Sequence, residues 1–325
     1  MLNVGIIGAG TIANTHADAI IKNKNLRLKS TSEIDMEKGE KFALEKKCKF
    51  YRDYQEMLKK EDLDIAVVCL PHHLHYEAGM AALKSGCHLL MEKPMARSVK
   101  ECDQLTKTAK TKKLKLMVGQ THQYFSSIRK ARELLTQGKI GKLKMIVDTI
   151  YAYYNWEKRK PWFLDPTQGG GGPLMNTGPH QIDHLLYFSG SQPVYVRSVV
   201  MNNRRDAKIE SDITAYIEFK NGVSAVLLLC QGYVPKTDEV SVRLIGDKGM
   251  MEVDPWGNVQ LSTADKTKEI IINQVPAFVT EWEELLSAIK DDRVPATDGQ
   301  YGKKVVALID AIYRSGREKK SITLL

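Results

Sequence analysis

Between Asn3 and about Val118 the chain alternates short apolar runs with helical patterns, and this alternation constrains the fold more than any other feature. Residues 4–7, 26–32, 65–70, 88–91 and 114–118 read as strands, and residues 11–21, 36–46, 76–85 and 99–112 as helices. The run Ile65-Ala66-Val67-Val68-Cys69-Leu70 has no polar member. A strand without alternation is buried on both faces, as in a parallel sheet. Strict strand–helix alternation then implies right-handed crossovers and an α/β doubly wound sheet.

The pattern changes after about Gly119. One helix spans residues 126–137 and ends at Gly138. Alternating strands follow at 144–153, 194–201, 213–219, 223–229, 240–245 and 259–262. Such alternation marks a mostly antiparallel sheet with one solvated or docked face. Helices at 279–290 and 302–315 close the chain. The sequence therefore divides into an N-terminal domain, residues 1–119, and a second α/β domain, residues 120–325.

Composition excludes several classes. With 43% hydrophobic and 27% charged residues, the chain can build a core. No apolar run has membrane-spanning length, and the start runs from Met1 straight into a strand without a basic leader. The five cysteines are scattered without C-x-x-C spacing, which reads as reduced thiols of a cytoplasmic protein. The net charge of +9 raises the question of nucleic acid. The lysines at 107, 110, 112, 113 and 115 have helical spacing, however, and read as a solvated face. We expect neither a nucleic-acid nor a membrane partner.

The first strand leads into Gly8-Ala9-Gly10-Thr11-Ile12-Ala13 and a helix. Gly8 permits a tight turn, Gly10 a close backbone approach to a pyrophosphate, and Ala13 close helix–strand packing. The free N–H groups from Thr11 and Ile12 onward, with the helix dipole, would hold the phosphates. Glu33 follows the second strand, where a carboxylate accepts from the adenine ribose hydroxyls and repels a 2′-phosphate, favouring NAD over NADP. Two readings compete: an acid at a helix N-terminus, a role open to Asp35, or a register that puts Ser32 at the ribose with Lys38 nearby, which suits NADP.

Two more turns belong to the same sheet edge. Leu70, Pro71 and His72 follow the apolar strand, with His73 and His75 close behind; they read as lining of the cofactor pocket rather than metal ligands. Glu92-Lys93-Pro94 follows the strand at 88–91, and Pro94 would aim Lys93 at the nicotinamide. A lysine beside a cationic ring can serve as proton donor or relay. Farther on, Gly169 to Gly172 precede Asn176, His180 and His184. On one helix, Asn176 and His180 would share a face, and so would His180 and His184. His180 is the acid/base candidate, since imidazole titrates near neutrality. His180 and His184 with Asp183 could be read as a metal triad, against His184 as a buried, hydrogen-bonded histidine; we expect no metal.

At these residues the sequence resembles the Gfo/Idh/MocA family of NAD(P)-dependent oxidoreductases. The resemblance runs from Gly8 to Ala13 through Pro71 to His75, Glu92-Lys93-Pro94, Pro161-Trp162, residues 169–183 and Ile245-Gly246-Asp247-Lys248-Gly249. It implies a Rossmann domain followed by an α/β domain with a large open sheet that joins subunits into a homodimer or homotetramer. It also implies hydride transfer between NAD and a ring hydroxyl or ketone of a sugar, sugar derivative or cyclitol. Lys93 and His180 match the catalytic lysine and histidine. Asn176 stands where many members carry aspartate, and Gln123 where arginine is common. Trp162 and Tyr153 are expected to line the sugar site with Lys93, Asn176 and His180. A non-catalytic dinucleotide sensor and an NAD-retaining glycosidase or lyase are the alternatives.

Overall fold

The computed structural model describes residues 1–204, 207–232 and 238–324. The chain forms two compact units, Met1–Gly119 with Phe278–Val306, and Gln120–Ala277 with Ala307–Leu325.

In the first unit, β1 (Leu2–Ile7), α1 (Thr11–Lys22), β2 (Leu26–Ser32), α2 (Met36–Lys46), β3 (Lys49–Tyr51) and α3 (Tyr54–Lys60) lead to β4 (Ile65–Val68). Then come α4 (His72–Lys84), β5 (His88–Glu92), α5 (Val99–Thr111) and β6 (Leu116–Gly119). The strands form one sheet in the order β3-β2-β1-β4-β5-β6. Every pairing is parallel. The order reverses at β1, the topological switch point where such sheets bind ligands at their carboxyl edge. Ile65, Ala66, Val67 and Val68 are fully buried, as the unbroken apolar run predicts. The helix after β4 begins at His72, four residues before its expected start, because Pro71 serves as its N-cap residue. The short strand β3 carries too little apolar pattern to be read from sequence.

The second unit opens with α6 (Ser126–Thr136) and β7 (Leu143–Tyr151). Four short or medium helices follow: α7 (Pro161–Leu164), α8 (Pro166–Gly169), α9 (Pro173–Asn176) and α10 (Gly178–Ser189). Strands β8 (Pro193–Met201), β9 (Asp212–Phe219), β10 (Ser224–Cys230), β11 (Glu239–Gly246), β12 (Gly249–Val253), β13 (Val259–Thr263) and β14 (Thr267–Ile270) come next. The chain closes with α11 (Ala277–Lys290), α12 (Gly299–Glu318) and β15 (Ile322–Thr323). The nine-stranded sheet runs β14-β13-β12-β11-β7-β10-β9-β8-β15. Among the described residues, β7 and β10 pair in parallel and the other neighbours are antiparallel. In β9 the burial alternates strictly, with Ile213, Ala215, Ile217 and Phe219 inward.

Two expectations need correction. The second domain is not residues 120–325 without interruption: residues 278–306 return to the first unit. There Val118 N–H donates to Thr297 O and Thr297 Oγ1 to Val118 O, both at 2.7 Å, and Val306 enters the core. Nothing in the helical period of that segment names the unit it packs on. Second, Asn176 and His180 do not lie on one continuous helix. Asn176 ends α9, and α10 begins at Gly178 beyond Thr177, because Pro179 in the first turn has no N–H to continue a helical ladder.

Candidate active site

In the first unit three strand ends form one edge. The β1–β4 register sets Ile7 against Val68, and the β4–β5 register sets Val68 against Met91. The turns that begin at Gly8, Cys69 and Lys93 therefore share the carboxyl edge of the sheet. Gly8 has φ +99°, and a Cβ there would stand 2.6 Å from Cys69 O. Only glycine fits that backbone. Gly10 is the N-cap of α1, has no side-chain cap, and faces open space where a Cβ would be. The first turn of α1 carries no acid. An uncapped helix N-terminus of this kind is a phosphate cradle and fits a dinucleotide. Thr11 is exposed and Ile12 half-buried at its rim, while Ala13 is fully buried.

Glu33, directly after β2, reaches this turn. Its Oε2 accepts from Ala9 N–H at 3.1 Å, and Lys38 Nζ donates to the same oxygen. Burial opposes its ionisation, but Lys38 and the Ala9 and Asp35 N–H groups outweigh burial and hold the carboxyl below its ordinary range. Asp35, not Glu33, caps α2, accepting from Lys38 N–H at 3.2 Å. Ser32 is buried at the end of β2.

His72 and His75 are buried in the first turns of α4, while Leu70 and Pro71 are half-buried ahead of it. His75 bridges the edge: Nδ1 lies 2.8 Å from Pro94 O and Nε2 2.8 Å from Leu70 O. Burial pushes this imidazole down, against the pull of the two carbonyls. Glu92 is 6% exposed and braces the next turn from within. His16 Nε2 lies 3.0 Å from Glu92 Oε1, and Lys93 N–H donates to Glu92 Oε2 at 3.1 Å. Burial would raise the Glu92 carboxyl, but His16 and Lys93 hold it below its ordinary range. Lys93 is half-buried, and its bond to Pro94 is cis.

In the second unit Glu210 organises the glycine run. Its carboxylate is 9% exposed and accepts from Gly172 N–H (2.9 Å), Leu174 N–H (2.9 Å) and Tyr313 Oη (2.7 Å). A Cβ on Gly172 would sit 2.5 Å from Glu210 O, so the loop closes only on glycine. Asn176 Nδ2 donates to Tyr154 Oη at 3.3 Å. Tyr154 is fully buried, lies under the Arg159 guanidinium at 4.0 Å, and is pushed up to about 12 by burial. Tyr153 is exposed and hydrogen-bonds Glu157, and Trp162 stacks on Phe163 at 3.6 Å.

His180 is half-buried in the first turn of α10, and its ring stacks on His122 at 3.9 Å and 13°. His122 Nδ1 lies 3.1 Å from His184 Nε2, and His184 Nδ1 lies 2.7 Å from Asp148 Oδ2. His184 is thus a buried, hydrogen-bonded histidine. Gln123 Nε2 donates to Asp183 Oδ1 at 2.5 Å. Sequence reading missed His16, His122, Asp148, Tyr154 and Glu210. The spacing of His180 and His184 signalled one side of the cluster; nothing in sequence signalled Asp148 on β7.

Two family models cover most of the chain. Residues 2–120 match the oxidoreductase family with NAD-binding Rossmann fold, and residues 128–252 match the GFO/IDH/MocA C-terminal domain. The chain belongs to the GFO/IDH/MocA oxidoreductase family. Its first domain is that family's NAD-binding fold. A relative spanning nearly the whole chain is myo-inositol 2-dehydrogenase of Thermotoga maritima, 24% identical, covering 99% of this chain and 98% of that protein. D-glucoside 3-dehydrogenase of Escherichia coli is 25% identical, covering 99% and 97%. Against 1-carboxy-3-chloro-3,4-dihydroxycyclo hexa-1,5-diene dehydrogenase of Comamonas testosteroni, identity is 26% and the match spans 63% of that protein. Among solved structures, levoglucosan dehydrogenase with NADH and levoglucosan superposes with TM-score 0.93 at 18% identity, covering 100% of this GFO/IDH/MocA chain and 99% of that one. The fold is the same.

Proposed function

We propose that this chain transfers hydride between NAD and a ring hydroxyl or ketone of a sugar, sugar derivative or cyclitol. The observation that carries the reading is Lys93 on the carboxyl edge that also bears the Gly8–Gly10 cradle. When bound, the nicotinamide supplies the hydride acceptor or donor. In the oxidation direction His180 accepts the hydroxyl proton. Lys93 offsets the negative charge developing on the substrate oxygen. Asn176, held by the buried Tyr154 hydroxyl, positions substrate, and Tyr153 and Trp162 offer aromatic faces to a sugar ring. Glu33 favours NAD over NADP by repelling a 2′-phosphate.

The relatives support this substrate class: two bear the names of dehydrogenases of an inositol and of a glucoside. We further propose a cytoplasmic homodimer or homotetramer joined through the nine-stranded sheet. A screen of keto-sugars, cyclitols and sugar nucleotides with NADH and with NADPH tests the activity. Cofactor oxidation by at least one carbonyl sugar supports it. Turnover with NAD retained and no net absorbance change favours a glycosidase or lyase that recycles its cofactor. Binding of NADH with no turnover of any of these compounds overturns the oxidoreductase reading.

A further inference from the structure

The oxidoreductase reading uses His180 but gives no role to the polar chain behind it. Asp148 and His184 are each 1% exposed, and His122 is 7% exposed. Besides His184, Asp148 receives the Gln181 amide, whose Nε2 lies 2.7 Å from Asp148 Oδ1 and 3.1 Å from Leu228 O. An ionised carboxylate only accepts, so His184 presents Nδ1–H to Asp148. The contact between His184 Nε2 and His122 Nδ1 then takes one proton. A further proton turns one of the two rings into an imidazolium.

His122 ends this chain with its face on His180. A second positive charge across a 3.9 Å stack is opposed by the first. Two parallel rings this close disfavour carrying two positive charges at once. His122 also lies against aromatic rings, Phe125 at 4.5 Å and Trp256 at 5.6 Å between ring centres. On α10 the ionisable groups nearby are His180, His184 and Asp183, the last bonded to Gln123; on β7 it is Asp148. The Asn176 side chain itself carries no charge. Asp148 is thus an anion wired by hydrogen bonds, through His184, to the ring that covers His180.

We propose that Asp148, His184 and His122 form a positioning relay for His180, one that lets the stacked pair hold a single proton taken from substrate. The proposal rests on the reading of His180 as the acid/base. The proton leaves the substrate hydroxyl as the hydride leaves its carbon; the relay changes where positive charge is tolerated, and no bond in it is consumed.

The test is a pH titration of the imidazole Cε1–H resonances in the full chain, where only eight histidines contribute. A His180→Gln variant assigns the signal. In the parent protein His180 and His122 should share a broadened transition. Asp148→Asn should lower the His180 midpoint by roughly half a unit to one unit. His122→Phe keeps a ring in the stack and should leave His180 titrating as a simple single site. An unchanged His180 curve in both variants overturns the relay. Should Asp148→Asn fail to fold, His122→Phe decides alone, by the same criterion. In an active enzyme the Asp148→Asn shift should recur in the pH profile of kcat with KM little changed. A parent protein without hydride transfer would overturn the catalytic role of His180, whereas the resonances would still report whether the stack is coupled.

Discussion

Glu33 accepts a hydrogen bond from Ala9 N–H at 3.1 Å, so the acid at the end of β2 braces the glycine turn at the end of β1. One carboxylate thereby shapes the cradle, and in the proposed reading it also accepts from the adenosine ribose. Glu33→Ala should weaken NADH binding about tenfold, the loss of one charge-assisted hydrogen bond, while NADPH binding changes less. Lys38→Ala should act in the opposite sense, by removing the cation that neutralises Glu33. Fluorescence titration with each dinucleotide measures both.

His16 and Glu92 form a buried pair, 0% and 6% exposed, beneath Lys93. His16→Ala leaves the carboxylate without this partner and should cost about 3–5 kcal/mol, readable by chemical denaturation. Glu92 is held below its ordinary range in the folded protein, so its contribution is complete above that range and is lost as pH falls through the depressed value. Part of the acid sensitivity of the parent protein should accordingly vanish in His16→Ala.

The parallel sheet was legible because its central strand β4 is apolar on both faces, and Ile65 to Val68 admit no other environment. The glycine turn and the Glu92-Lys93-Pro94 turn were legible because each follows such a strand. The relay was not. Asp148 lies on β7, where one acid in an alternating strand reads as solvent-facing, and only the tertiary fold buries it against His184. The return of residues 278–306 to the first unit escaped for a similar reason: an amphipathic helix declares a buried face without naming its partner.

His75 is held below its ordinary range by burial, so the folded protein resists a proton that the unfolded chain takes up near pH 6.5. Stability should be complete above that pH and fall as pH drops below it. His88, lowered in the same way by burial and by Lys115, adds to the slope. Denaturation midpoints of the parent and of His75→Asn between pH 8 and pH 5 should converge toward the acid end, since the variant lacks one of the two contributions.

Glu210 gathers the Gly172 and Leu174 N–H groups and the Tyr313 hydroxyl around one buried carboxylate. Glu210→Gln replaces an acceptor-only group by one whose amide cannot accept from them all. It should cost about 2 kcal/mol in stability and raise hydrogen exchange at residues 172–174. Exchange rates equal to the parent's would detach Glu210 from control of this loop.

The central claim is that Lys93 and His180 act on substrate during hydride transfer. The most direct measurement is single-turnover formation or loss of NADH by the parent, Lys93→Met and His180→Ala, with dinucleotide binding measured on the same samples. NADH binding should stay within a few-fold of the parent, and the hydride-transfer rate should fall by about 10²–10⁴ in each variant. A parent-like rate in either variant would contradict the claim.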